Sequence, residues 1–371
     1  MKVDGRSYRT IWPADDGRSV TVIDQTRLPH AFAIAQWWTA QDAADGIRSM
    51  VVRGAPLIGV AGTYGLALAM GDDPSDGALA ATHALLLATR PTAVNLAWAL
   101  DTVAAELSPL PPGVRADAAW SAAARIADDD VAMCREIGRH GAALIESAYE
   151  ANGKRRPVNV LTHCNAGWLA TVDWGTALAP VYVAHDAGIP VHVWVDETRP
   201  RNQGASLTAW ELGQHGVSHT VIADNVGGHL MQHGQVDLCL VGSDRTTATG
   251  DVCNKIGTYL KALAAHDNGV PFYACVPSTT IDWTLSDGVR DIPIEQRDGR
   301  EVSEISGMGA DGRVATVRLT PAGSAVANYA FDVTPARLMT GIVTERGVAK
   351  STRAELEQMF PNFLNLRGNA S

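Results

Sequence analysis

The chain has 371 residues, 46% of them apolar and 19% charged, with a formal net charge of −10. At ~100–200 residues per domain, that length predicts two globular domains with substantial cores. The acidic balance argues against a general nucleic-acid binder, which would present a basic surface, but a phosphorylated small molecule needs only a few local cations and backbone N–H groups.

The first thirty residues read as short strands. An Asp-Asp-Gly turn separates two alternating runs, Tyr8–Trp12 and Ser19–Ile23, which predicts a hairpin. From Ala31 to about Tyr149 the chain is Ala-rich and helical in period, with breaks near Arg53–Pro56, Gly71–Pro74, Arg90–Pro91 and Pro109–Gly113. Gly59, Gly62 and Gly65 recur every three residues there, which suits close helix packing. The stretch Glu150–Pro157 is charged and carries Gly and Pro, so it reads as a boundary; its Lys154-Arg155-Arg156 run reads as a solvated loop.

Beyond it, β-branched runs alternate with helical segments. The expected strands are Val158–His163, Val191–Asp196, Thr220–Asp224, Leu238–Gly242 and Phe272–Val276. The expected helices are Gly175–Ala187, Ser206–His215, Val226–His233 and Gly257–Asn268. Such alternation predicts a parallel, doubly wound sheet. Val302–Val333 reads as loop and strand, and Arg353–Met359 as a closing helix. The expectation is an α/β chain: residues 1–149 form a mainly helical N-terminal domain with a small antiparallel hairpin, and residues 150–371 a Rossmann-like doubly wound domain.

Five cysteines, Cys134, Cys164, Cys239, Cys253 and Cys275, are widely spaced, odd in number and never form C-x-x-C, so neither a disulfide scaffold nor a zinc site is expected. The first residues are polar and lack the apolar core of a signal peptide, and no run of eighteen apolar residues suggests a membrane span. A reducing cytoplasm fits these features.

Nearly every expected strand ends in polar or reactive residues: His163-Cys164-Asn165, Asp196-Glu197-Thr198-Arg199, Asp224-Asn225, Ser243-Asp244-Arg245 and Pro277-Ser278-Thr279. In an open parallel sheet the carboxyl ends share one edge, where ligands bind. Singly, each such residue could merely cap the next helix; together they point to a shared pocket. Cys164 precedes a turn into an expected helix, where a thiol can have a lowered pKa, although a lone cysteine also suits simple burial. Asp244 either pairs with its neighbour Arg245 or, shut into a dry crevice, has a raised pKa and moves a proton near neutrality. Candidate phosphate contacts are Arg53-Gly54-Ala55, Arg90, Gln203-Gly204 and Asn254-Lys255, the last pair at the expected start of a helix. Neither G-x-x-x-x-G-K-[ST] nor G-x-G-x-x-G occurs, so a nucleotide site lacks its usual signal. Trp98, Trp120 and Trp210 suit a core or an interface, and Trp168 could wall the pocket.

Taken in order, the stretches Val51–Ala69, Arg90–Leu100, Asn159–Thr171, Asp196–Leu212, Val241–Tyr259 and Ala330–Gly347 resemble the methylthioribose-1-phosphate isomerases, over about residues 5 to 365. That superfamily also holds ribose-1,5-bisphosphate isomerases and regulatory subunits of a translation-initiation exchange factor, so the fold alone does not fix the function. The resemblance implies an aldose–ketose isomerase acting on 5-methylthioribose 1-phosphate, usually a homodimer, with its site between the two domains. It implies catalytic roles for Cys164 and Asp244. It implies substrate contacts at Arg53, Gly54, Ala55, Arg90, Gln203, Asn254 and Lys255, and no metal or organic cofactor. Departures from the family pattern at Arg201-Asn202 and at Trp168 bear on the 5-substituent. They leave a related pentose 1-phosphate, such as 5-deoxyribose 1-phosphate or ribose 1,5-bisphosphate, as an alternative substrate. A non-catalytic sensing subunit is the remaining alternative.

Overall fold

The computed structural model describes residues 1–90 and 92–361. Pro91 of the expected break, and the resembling positions 362–365, lie outside the described residues.

The chain opens with the antiparallel pair β1 (Lys2–Val3) and β2 (Arg6–Ser7), then β3 (Ile11–Pro13), β4 (Val20–Ile23) and β5 (Ile34–Trp37). The expected hairpin is β3–β4, with Ile11 opposite Val22. The stretch expected to be helical from Ala31 instead begins with a strand. β5 pairs along β4 from Val20–Trp37 to Ile23–Ile34, so an available sheet edge overrides local helix preference. Helices follow: α1 (Ala40–Arg48), α2 (Ala55–Asp72), α3 (Asp76–Leu87), α4 (Val94–Leu107) and α5 (Pro112–Ala151). Thr39 and Asp42 form a reciprocal capping box that starts α1.

α2 is buried around most of its circumference, which explains why its sequence carries no polar stripe. Its glycines allow that close packing, as expected. A Cβ on Gly62 would sit 2.7 Å from Leu96 Cδ1, and one on Gly59 would sit 2.9 Å from the Asn95 carbonyl. α5 has 40 residues, or ~60 Å at 1.5 Å per residue. Ala119, Ala123 and Ile126 join the core around α2. Further along, Ile137, Ala142 and Ile145 join a second core with the central sheet.

The remaining elements are β6 (Val158–Thr162), α6 (Ala179–Asp186), β7 (Val191–Asp196), α7 (Ala209–His215), β8 (Ser218–Ile222), α8 (Val226–Gln232), β9 (Leu238–Val241), β10 (Arg245–Thr247), β11 (Val252–Lys255), α9 (Thr258–Asp267), β12 (Phe272–Cys275) and β13 (Ile281–Asp282). Next come the single turns α10 (Gly288–Asp291) and α11 (Arg300–Ser303), the hairpin β14 (Glu304–Met308) and β15 (Val314–Arg318), then β16 (Phe331–Thr334), β17 (Gly341–Thr344), β18 (Gly347–Ala349) and α12 (Arg353–Met359).

Seven strands form the central sheet in the order β18-β17-β12-β9-β6-β7-β8. All neighbouring pairs are parallel except β17–β18. From β6 the chain winds outward through β7 and β8, then returns to β9 and winds the other way through β12 and β17. This is the doubly wound topology, and its switch point lies between β6 and β9. A smaller sheet, β13-β10-β11-β16, sits beyond the carboxyl end of β9. It corrects one expectation: Asn254 and Lys255 lie on strand β11, not at a helix start, because β11 pairs with both β10 and β16. The helix begins at Thr258.

Candidate active site

Cys164 follows β6 and Asp244 follows β9, so the two flank the switch point. Cys164, Asp244, Arg53, Gly54, Ala55, Arg90, Gln203, Asn254 and Lys255 all line a single cleft. The sequence placed these nine residues on separate segments; the fold gathers every one. Arg297 and Phe331, which the sequence did not single out, complete the wall.

Cys164 is held in the left-handed region, φ 68°, which costs a non-glycine residue ~1–3 kcal/mol. Two threonines hold it there. The Cys164 N–H donates to Thr198 Oγ1 at 2.8 Å, and Thr208 Oγ1 donates to the Cys164 carbonyl at 2.8 Å. Thr198 is itself left-handed, φ 66°, and its N–H donates to Asp224. The strained backbone aims the thiol into the cleft wall rather than along the strand. The residues after Cys164 form only a 3-10 turn, Trp168–Ala170, so the expected helix N-terminus is absent there. The thiol is correspondingly not acidified. Burial pushes it above its ordinary value, Arg53 and Lys255 pull the other way, and Asp244 adds to the rise.

Asp244 comes from the bend between β9 and β10, where its N–H donates to the Cys253 carbonyl at 2.9 Å. Burial raises its carboxyl, opposed by Lys255, Arg90 and Arg53. Of the two readings open from the sequence, the dry-crevice one describes it: Arg245 turns away to Asp282 and to the Thr92 carbonyl.

Arg53 and Lys255 are buried rather than solvated. Arg53 donates through both terminal nitrogens to Asn165, one bond reaching the Oδ1 and the other, at 2.7 Å, the carbonyl. Asn165 in turn donates to Glu211 Oε1 at 2.7 Å. Glu211 is fully buried, and burial pushes its carboxyl up to about 8. Lys255 Nζ lies 4.5 Å above the Phe331 ring, a cation–π contact. Burial lowers the pKa of both Arg53 and Lys255. Gly54 opens α2 with φ 103°, and a Cβ there would strike the Ala170 carbonyl at 2.5 Å. Only glycine brings the start of that helix, with its outward N–H groups, to the cleft. Gln203 precedes a π turn, Gly204–Thr208, an irregularity frequent at functional sites. Gln203 Oε1 and Arg90 Nε are buried without a hydrogen-bond partner, which marks them as groups a ligand would satisfy.

Trp168 does not wall the cleft. It is buried in the second core, 6.1 Å from the Trp210 ring. Arg201 and Asn202 line a wide vestibule outside the cleft, shared with Arg53, Met50, Gln203 and Arg297. Among the described residues, His163, Asp196 and Asp224 are close enough together to hold a metal ion. Most of their ligand atoms are already engaged: Asp196 Oδ2 contacts His163 Nδ1 and Lys261 Nζ, and Asp224 accepts the Thr198 and Arg199 N–H groups, while Asp196 Oδ1 is buried without a partner. No described helix is long and apolar enough to cross a membrane.

Residues 51–351 match the model of the initiation factor 2 subunit family, IF-2B. A methylthioribose-1-phosphate isomerase of Methylobacterium nodulans is 67% identical over 361 residues, covering 97% of this chain and 98% of that protein. Among solved structures, the 5-methylthioribose 1-phosphate isomerase of Pyrococcus horikoshii superposes with a TM-score of 0.81 at 38% identity, covering 96% of each chain. The translation initiation factor eIF-2B subunit delta of A. fulgidus gives 0.77 at 35% identity, covering 95% of this chain and 99% of that one. With the doubly wound sheet, the cleft at its switch point and these similarities in hand, the chain belongs to the initiation factor 2 subunit family and, within it, to the methylthioribose-1-phosphate isomerases.

Proposed function

We propose that this chain is an aldose–ketose isomerase converting 5-methylthioribose 1-phosphate into 5-methylthioribulose 1-phosphate, in methionine salvage. The observation that carries it is one cleft that gathers a buried thiol, a half-buried acid and four cations, two of them buried, at the switch point. The near-full-length similarity to isomerases of this substrate supports it.

The chemistry follows from the substrate. Phosphate on C1 locks the sugar as a ring, so the C1–ring oxygen bond must break before a ketose can form. The ring oxygen takes a proton, C1 gains the hydrogen that C2 loses, and the C2 hydroxyl gives up its proton to become a carbonyl. Asp244, its carboxyl raised by burial, holds its proton to a higher pH than an exposed aspartate does, and donates it to the ring oxygen. Cys164, raised as a thiol, faces the same space and shuttles or stabilises charge during the transfer. Arg53, Arg90, Lys255 and Gln203 hold the phosphate and hydroxyls, with Asn254 and the Gly54-Ala55 backbone beside them, and so supply orientation. On this reading residues 1–149 close over residues 150–371 to exclude water, and the protein works as a cytoplasmic homodimer.

A bisphosphate substrate would call for a second set of cations. The vestibule adds Arg27, Arg48, Arg201, Arg300 and Arg313, of which Arg48, Arg201 and Arg300 are held by Asp45, Glu301 and Asp298. A coupled ketose assay on 5-methylthioribose 1-phosphate, beside 5-deoxyribose 1-phosphate and ribose 1,5-bisphosphate, tests the substrate. In the same assay Asp244→Asn and Cys164→Ser should each lose most turnover. Near parental rates from both would reject the assignment.

A further inference from the structure

We infer that Arg297 is a further phosphate-gripping residue of this cleft, and that Glu295 is a built-in carboxylate competitor that holds Arg297 and Arg90 until a phosphate replaces it. This rests on the proposed reading only in taking the ligand to be a phosphate monoester.

Arg297 stands on fixed backbone. Its N–H donates to the Asn328 carbonyl at 2.9 Å, and the Ala330 N–H donates to the Glu295 carbonyl at 2.9 Å. Gln296 and Tyr329 pair as an antiparallel bridge between those two bonds. The same strand direction leads into β16, whose Phe331 carries Lys255. The guanidinium therefore sits at the throat, lining both the cleft and the vestibule.

Two carboxylates hold it, and they are not equivalent. Glu301 takes the Arg297 Nε and Nη2 at 3.0–3.2 Å, and also Arg201 Nη1 at 2.8 Å and Asn328 Nδ2 at 2.8 Å. That carboxylate is anchored from three sides. Glu295 has fewer ties: its Oε1 accepts from Arg297 Nη1 at 3.0 Å and its Oε2 from Arg90 Nη2 at 3.1 Å. The two donors it occupies belong to Arg297 and Arg90, both of which line the cleft. A phosphate offers three acceptor oxygens and more charge than a carboxylate, and arginine forks suit it. It also reaches what Glu295 leaves unsatisfied, the buried Arg90 Nε; Gln203 Oε1 stands ready for a ligand hydroxyl. Exchange at Glu295, with Glu301 keeping Arg297 oriented, explains why one arginine carries two carboxylates at the mouth of an anion site.

The test is calorimetric titration of the full chain with inorganic phosphate, which needs no turnover. Arg297→Gln should weaken phosphate roughly tenfold or more. Glu295→Gln should tighten it several-fold. In the double variant the tightening should shrink, because half of the released donor set is gone. Binding by Arg297→Gln within twofold of the parent, or weaker binding by Glu295→Gln, overturns the inference. Should Arg297→Gln fail to fold by circular dichroism, Arg297→Lys and Glu295→Gln decide on the same criteria. Because phosphate binding is read directly, a chain that grips phosphate through Arg297 but makes no ketose would sink the isomerase reading alone.

Discussion

Replacing Glu211 by Gln tests the electrostatics of the cleft floor through stability rather than activity. Glu211 is fully buried, and its carboxyl is raised from an ordinary 4.5 to about 8. Burial causes the rise, and the hydrogen bonds from Leu169 N–H and Asn165 only partly offset it. The folded chain therefore holds a proton that the unfolded chain has released over that interval. Its contribution to stability is fully present below the unfolded value and is lost as pH climbs through about 8. A single such group gives a slope of ~1.4 kcal/mol per pH unit inside the window, or ~5 kcal/mol across it. Asp130, raised by burial to about 7, adds a similar slope over a lower window, but it is present in both proteins and cancels in the difference. Urea unfolding of parent and Glu211→Gln at half-unit steps from pH 5 to 9 reads the effect. The variant starts less stable, since its amide meets a backbone or Asn165 donor, and the gap should narrow as pH rises. Parallel curves would refute the claim that Glu211 is protonated in the folded chain near neutrality.

Further outcomes follow from the same geometry. Asp244→Asn should cut kcat by ~10²–10⁴; in the parent, turnover should decline as pH rises through the raised Asp244 value, and the variant's residual rate should lack that limb. Lys255→Met should raise KM ~10-fold or more while circular dichroism stays parental, because it removes one charge-assisted contact and leaves an apolar side chain of similar length beside Phe331. Gly54→Ala should lower stability by ~1–3 kcal/mol, read by urea unfolding, since φ 103° and the Ala170 carbonyl leave no room for a Cβ. Thr198→Ala should release the left-handed Cys164 and slow alkylation or turnover at that thiol without moving the KM for phosphate-bearing substrate as much as Lys255→Met does.

How much of this was legible in the sequence depended on range. Strands β6, β7, β9 and β12 announce themselves because they are buried on both faces, so each reads as a short apolar run with polar residues after it. Cys164 and Asp244 were legible for the same reason: each stands where such a run stops. β5 and β11 were not legible. Their sequences have no strand period of their own, and they exist because β4 and β16 offer edges, the latter 76 positions further on from Lys255 to Phe331. The direction of the Cys164 shift was missed through a wrong local element: a helix start would acidify the thiol, whereas a 3-10 turn inside a dry cleft does not. Glu295, Arg297 and Glu301 lie in a charged stretch that looks like solvated loop. Their only signal was alternation of sign within a few residues, which exposed loops also show.

The charge balance of the cleft explains why burial, costly as it is, is kept there. Arg53, Arg90, Lys255 and Arg297 face two carboxylates, Glu295 and Glu301, beside an Asp244 whose carboxyl burial raises. The excess of positive charge is close to what a phosphate monoester carries with opposite sign, about −1.5 to −2 at neutral pH. In water those cations would be screened and their hold on an anion weak; shut between the helices and the switch point they act at low dielectric. The same dryness raises the carboxyl of Asp244 and the thiol of Cys164, favouring the protonated form of each. The cations oppose that rise at both residues. A phosphate that neutralises the cations removes their opposition, so ligand binding itself should push Asp244 further toward its protonated form. Binding and acid strength are then coupled through one set of side chains. On the proposed mechanism, replacing the thiol and the acid together would abolish the chemistry and leave the anion grip in place.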